Sequence, residues 1–325
     1  MARSSTLITT GMLLVGGALV IWLIRSVGVD EIVGGFRAIG PAGFAAVLTL
    51  SFLRYTARSV AWITLIVPPP GSTPVPLRSA IAATIAGDAL GNLSLLSLLV
   101  SEPAKALYLT RHVPAEEALG ALTAENFFYS VSVALVILAG TLTLLATFVL
   151  PESWQQAAWA ALGLMALVLL AAGWLAWKRP GVTSRLSWRD DHWMGALLRK
   201  VRVLETIAYR GLRVSPWRLG VVTACEVIFH ILSIIESWLI LYLLTGSSQW
   251  LNAFLFDTVN RVINVVFRVV PLKVGVDEVS ASGLADVIGL GTGIGLTMAL
   301  VRKARVLAWV GVGLAISGRR ALHRR

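Results

Sequence analysis

Charge is scarce in this sequence of 325 residues: only 14% of them are Asp, Glu, Lys or Arg, against about 25% in an ordinary soluble domain. Cysteine is nearly absent. A single Cys225 excludes an internal disulfide and a thiolate metal cluster. Also missing are zinc-ligand spacing, a nucleophile elbow and a phosphate-binding loop, so catalysis has no positive support, no catalytic residue is assigned, and no metal or other cofactor is expected. The alternating Gly289, Gly291, Gly293 and Gly295 follow no strand and lead into an apolar helix, which suits close helix packing better than a nucleotide. Asn92-Leu-Ser94 has the glycosylation pattern but falls in an interrupted apolar segment.

What is present is hydrocarbon: 57% of the residues are hydrophobic and the mean hydropathy is +0.79. Apolar segments run at 7–24, 42–67, 118–150, 156–177, 218–245 and 291–317. Each is long enough to cross a hydrocarbon core of roughly 30 Å. The segment 7–24 lacks a small-residue cleavage site before Arg25 and is expected to be a retained helix, not a removed signal. The regions 78–112 and 250–286 are apolar but broken by Asp88, Asn92, Glu102 and Pro103, and by Asn260, Arg261, Arg268, Pro271 and Lys273. Such interruptions suit broken or re-entrant helices lining a wet cavity. The predicted fold is all-α: one membrane domain over 1–325, with about six full spans and two re-entrant hairpins.

The net charge of +11 collects in loops beside apolar segments and forms no single soluble face, so a nucleic-acid partner is not expected. Ten basic residues lie between Lys178 and Arg218 against Asp190, Asp191 and Glu205, and Arg319, Arg320, Arg324 and Arg325 close the chain. The segment 178–217 is therefore expected to be a cytoplasmic amphipathic loop on anionic lipid headgroups, with both termini cytoplasmic. A shift of 176 residues lays 42–67 on 218–243 and pairs Arg54 with His230, Asp88 with Asn264, Asn92 with Arg268 and Glu102 with Glu278. With the loop signs, this predicts an inverted repeat, 42–150 against 218–317.

A charged side chain in hydrocarbon costs at least about 2.5 to 3.5 kcal/mol, so an intramembrane charge needs a partner or a cavity. Arg54 and Arg58, four apart, share a helix face, as do Asp257, Arg261 and Arg268. Together with Asn92, Glu102, Lys105, Glu125, Lys273, Glu278 and Arg302 they are the candidate substrate-binding residues. Arginine forks suit a phosphate-like headgroup, and the carboxylates would hold the arginines or carry protons. The competing reading is mutual neutralisation, Asp257 with Arg261 and Glu102 with Lys105, which for any single pair is as good an explanation. Glu226 and His230 form a candidate proton relay, although a hydrogen-bonded structural pair explains their spacing better.

Three segments carry a family resemblance. Pro271, Gly275, Val276 and Glu278 resemble the proline–glycine–glutamate turn of the flippase-like family that includes the transmembrane half of lysylphosphatidylglycerol synthases; Leu272, Lys273 and Asp277 stand where that family usually has glycine and arginine. Glu102 and Lys105 match its first glutamate turn, with Ser97 and Ser101 in place of proline and glycine. Glu125 matches a later glutamate, Asn126 replaces the arginine beside it, and Arg302 matches the family's later arginine. The resemblance implies an integral protein of the bacterial plasma membrane that moves an amphipathic lipid, anionic or isoprenoid-type, between leaflets or out of the membrane. It includes stand-alone and hopanoid-associated members. The synthases' soluble aminoacyl-transfer domain has no room after Arg325, so a transporter is expected and not an enzyme. A membrane-embedded enzyme, or an accessory subunit of a lipid-modifying synthase, is the alternative. A lipid-synthesis enzyme and a second copy of the chain are the candidate protein partners.

Overall fold

The computed structural model describes residues 29–67, 74–94, 97–178, 215–268 and 270–322, with Ile21, Arg25, Thr206 and Tyr209. Nearly all of the expected first span, 7–24, and of the expected amphipathic loop, 178–217, lies outside the described residues. Among those described, the elements are helices: α1 (Val29–Leu65), α2 (Leu77–Asn92), α3 (Ser97–Tyr108), α4 (Ala115–Thr147), α5 (Glu152–Lys178), α6 (Pro216–Thr245), α7 (Trp250–Val266), a 3-10 turn (Pro271–Lys273), α8 (Val276–Val287) and α9 (Thr292–Leu322).

Helix ends follow local chemistry. Gly40, at φ 61 and ψ 175, occupies backbone space that glycine alone enters readily, and Pro41 restarts α1 after it. Glu116 and Glu117 sit in the first turn of α4, where the helix dipole favours negative charge. Pro216 opens α6 and Gly246, at φ 70, closes it in the left-handed conformation.

Among the described residues four helices are long and apolar enough to cross a membrane: Ile32–Leu65 within α1, then α4, α5 and α6. They cover four of the six expected spans. The expected span 291–317 forms one 31-residue helix, α9, about 46 Å long. It carries Arg302, Lys303 and Arg305 and is not among the four. The two interrupted regions fold as hairpins, α2–α3 and α7–α8, whose arms of 12 to 17 residues reach only about 18 to 26 Å.

Two apolar clusters frame the bundle. One gathers Ile39 and Val47 of α1, Leu144 of α4, Ile240 and Leu241 of α6, the start of α7, the end of α8 and the start of α9. The other gathers Ala61, Trp62 and Leu65 of α1 with Ile66 after it, Ala80 and Ala83 of α2, Ala106 of α3 with Leu109 after it, the start of α4, and Val222 and Cys225 of α6. α1 therefore runs from the first cluster to the second while α6 and α4 run from the second to the first. α9 leaves the first cluster and its Arg320 lies over the Tyr108 ring, beside the second. Hence α1 is antiparallel to α6, and α9 to α4.

The pairings have an internal regularity. α1 packs on α2 as α6 does on α7, α2 on α3 as α7 on α8, α3 on α4 as α8 on α9, and α2 on α9 as α7 on α4. Adding 176 to the bounds of α4 gives 291 and 323, and α9 spans 292 to 322. Both exchanged interfaces depend on a glycine. At Gly313 of α9 a side chain would run into Ala89 and the carbonyl of Ile85 in α2; at Gly140 of α4 it would run into Thr258 of α7. Small residues let helices approach closely where lipid supplies no hydrophobic drive.

Candidate functional site

Between the two clusters, halfway along α1 and α6, lies a polar cavity of about 300 Å³ to which every described helix except α5 contributes a side chain. The α2–α3 hairpin reaches it with Asp88, Asn92 and Ser97, and the α7–α8 hairpin with Asp257, Arg261, Leu272, Lys273 and Asp277. Eight cations line it, Arg54, Arg58, Arg261, Arg268, Lys273, Arg302, Lys303 and Arg305, against the carboxylates of Asp88, Asp257 and Asp277. The excess is cationic.

On one side the charges form a continuous chain of bonds from Glu125 to Asp88. Arg58 donates from Nε and Nη2 to the two oxygens of Glu125, at 2.8 and 2.7 Å, and from Nη2 to Asn126 Oδ1 at 3.1 Å. Asn126 Nδ2 donates to Glu102 at 2.8 Å, and Lys105 bridges Glu102 at 3.1 Å and Asp88 at 2.7 Å. Asn126, standing where arginine was expected, thus ties Arg58 to Glu102. The Arg58 guanidinium also lies 4.2 Å from the centre of the Tyr129 ring.

On the other side, Arg261 donates to Asp257 at 2.7 Å and Ser233 donates to the same carboxylate at 2.5 Å. Glu236 of α6 accepts from Arg54 at 3.0 Å and from Arg305 at 2.5 Å. Lys303 reaches Asp277 at 3.1 Å, Glu278 at 3.3 Å and the carbonyl of Leu272 at 2.6 Å. Three cations are left over. Among the described residues Arg268, Lys273 and Arg302 form no ion pair; Arg302 donates to the Ser237 hydroxyl at 2.7 Å. A cation spared a carboxylate partner and facing a cavity is the one free to accept an anion.

The turn that presents Lys273 is strained. Leu272 and Lys273 both adopt positive φ, 51° and 48°, where the resemblance expects glycine. Gly275, at φ 87, follows, and its N–H donates to Glu278 at 2.8 Å, so that glutamate caps α8 from its first turn.

The predicted residues separate into two layers. Arg54, Arg58, Asn92, Asp257, Arg261, Arg268, Lys273 and Arg302 line the cavity. Glu102, Lys105, Glu125 and Glu278 lie behind it as counter-charges or caps. Both expected neutralising pairs, Asp257 with Arg261 and Glu102 with Lys105, are present. Glu226 and His230 are buried but not bonded to each other: Glu226 accepts from Ser132 at 3.1 Å, and His230 packs against Tyr129 and Phe229, with neither ring nitrogen bonded among the described residues. The Arg54 guanidinium lies over the Phe229 ring, 4.6 Å from its centre. Glu236 and Arg305 were not foreseen. Glu236 stands ten residues after Glu226 within an apolar helix, a signal open to the same charge-cost argument. Among the described residues no group of three His, Cys, Asp or Glu side chains is placed to hold a metal ion.

Long apolar helices around a cation-rich cavity of about 300 Å³ define an integral membrane protein of the polytopic helical class. The chain belongs to the family described as lysylphosphatidylglycerol synthase TM region, whose model matches residues 8–315. No curated protein and no solved structure matches it.

Proposed function

We propose that the chain is a lipid transporter that moves an anionic membrane lipid between leaflets, holding the head in the central cavity while the tails stay in hydrocarbon. The observation that carries this reading is the set of three cations, Arg268, Lys273 and Arg302, that face a mid-bundle cavity and form no ion pair among the described residues. Family membership supports it by tying the chain to the membrane region of proteins named for lysylphosphatidylglycerol.

The antiparallel courses of α1 and α6, and of α4 and α9, agree with two halves related by an inverted repeat, with α2–α3 and α7–α8 as re-entrant hairpins entering from opposite faces. Such halves put helix ends and charges at mid-depth, where alternating exposure to the two sides is a rocking of one half against the other. We assign the chain to the bacterial plasma membrane with both termini cytoplasmic, since the basic residues gather between 178 and 218 and at the end of the chain. The basic loop would rest on anionic headgroups, and a lipid-synthesis enzyme is the protein partner this placement suits. Service as an accessory subunit of a lipid-modifying synthase is the second reading, favoured by the family's name.

The test uses vesicles holding the purified protein and an acyl-labelled anionic phospholipid, with a membrane-impermeant quencher added outside. Label initially inside should become quenchable in protein-containing vesicles. Arg302→Ala should slow this by about tenfold, the worth of one charge-assisted hydrogen bond. Exchange no faster than in empty vesicles, or unchanged in Arg302→Ala, would overturn the reading.

A further inference from the structure

The polar cavity does not end at Arg302. A narrow neck of about 20 Å³ shares Asn260, Asp277 and Arg302 with it and passes between α7 and α8. On its far side the neck shares Val259, Ile263 and Ser280 with a third space, an apolar groove of about 390 Å³ walled by α4, α5, α7 and α8. Head-sized polar space, a one-chain neck and a hydrocarbon-lined groove thus lie in succession, each sharing wall residues with the next. α5, which packs on α4, supplies the outer wall through Trp154, Ala157 and Ala161. Small residues keep the groove open: a side chain at Gly283 would press on the Trp154 ring.

We infer that this groove binds one unbranched acyl chain of the same lipid whose anionic head occupies the cavity, the connection passing between α7 and α8. This rests on the proposed function for the identity of the head but adds a site for the tail. The neck has room for about one water-sized group, which passes a methylene chain and excludes a headgroup. An apolar space beside a charged one selects amphiphiles over free phosphate, because only an amphiphile gains from burying hydrocarbon there. The other apolar recess, between α1 and α9, is a poorer route. It shares only Trp309 with the cavity, and that ring is stacked on Phe52 and packed edge-on against Tyr55.

The full-length protein in vesicles is irradiated with a phosphatidylglycerol probe bearing a photoreactive diazirine at the end of one acyl chain, and labelled positions are mapped by mass spectrometry. Label should concentrate on residues 153–161, 255–263 and 279–283. Ala161→Phe and Val279→Phe, both filling the groove from its walls, should each lower it by at least about tenfold, the worth of roughly two buried methylenes. Leu170→Phe, on the exposed face of α5, should leave it unchanged. Label spread evenly over that outer face, gathered on the α1–α9 recess, or insensitive to the filling substitutions overturns the inference. Equal groove labelling by a polyisoprenyl phosphate probe overturns the assignment to an unbranched chain. Leaflet exchange measured on the same vesicles keeps the two claims apart: labelling without exchange removes transport and leaves the groove, and exchange without labelling does the reverse.

Discussion

Arg58 of α1 and Glu125 of α4 meet fork to fork, with two nitrogen–oxygen distances of 2.8 and 2.7 Å and Glu125 only 1% exposed. The pair joins the two helices beside the cavity. Its removal leaves a charge stranded, and breaking a buried pair from one side costs about 3 to 5 kcal/mol. Glu125→Ala should therefore lower the thermal midpoint in detergent sharply, while Arg58→Met with Glu125→Leu should recover most of the loss. Equal midpoints for Glu125→Ala and the parent would show that the fork is not buried as described.

Arg261 and Arg302 should behave differently when truncated. Arg261 is committed to Asp257, so Arg261→Ala should lower stability as well as exchange. Arg302 has no carboxylate partner among the described residues, and Arg302→Ala should keep the parent's midpoint while losing exchange. Equal destabilisation in the two variants would contradict the division into held and free cations.

The positive φ values of Leu272 and Lys273 represent stored backbone strain, since the left-handed region costs roughly 1 to 2 kcal/mol for a residue with a side chain. Leu272→Gly should relieve part of it and raise the unfolding free energy by about 1 kcal/mol, read by denaturant titration. A clear loss of stability would mean that the Leu272 side chain contributes more by packing than its backbone costs.

Gly313 lets α9 approach α2, and a side chain there would strike backbone, the Ile85 carbonyl. Gly313→Val should destabilise by about 1 to 3 kcal/mol or more, the usual cost of overpacking. Gly311, with open space around it, is the control; Gly311→Val should be nearly neutral by the same unfolding measurement.

Arg268 is exposed at the cavity, and Lys273 lines the same cavity from the 3-10 turn that follows. Charges in contact with water are screened over about 10 Å at 0.1 M salt. Binding of an anionic lipid should weaken with salt in the parent, and less steeply in Arg268→Gln with Lys273→Gln. Identical salt slopes would remove these two residues from the head site.

The sequence disclosed the site better than its wiring. Helical spacing put Arg54 and Arg58 on one face, and both line the cavity, because a charge in an apolar helix has few places to go. The same reasoning overreached at Glu226 and His230. Spacing four apart guarantees a shared face but not a bond, and Glu226 turned to Ser132 on α4 instead. Glu236 with Arg305, 69 residues apart, depends on how α6 meets α9, which no local pattern encodes. The breaks at Asn92 and Pro271 announced two hairpins, and the proline, glycine and glutamate of 271–278 marked a turn whose left-handed residues only coordinates could identify. Four expected spans were recognisable from apolar length alone, whereas α9, with its three central cations, departs from that pattern because it faces the cavity.

The most direct test of a wet, anion-accepting chamber inside the membrane bundle is the reactivity of a cysteine placed in it. In a Cys225→Ala background, Asn264→Cys lies on the cavity wall and should react with a small, membrane-impermeant, anionic thiol reagent. Added anionic phospholipid should slow that reaction, and zwitterionic lipid should not. A cysteine at position 264 that stays unreactive in the folded protein, or reacts at the same rate whatever lipid is present, would contradict the account.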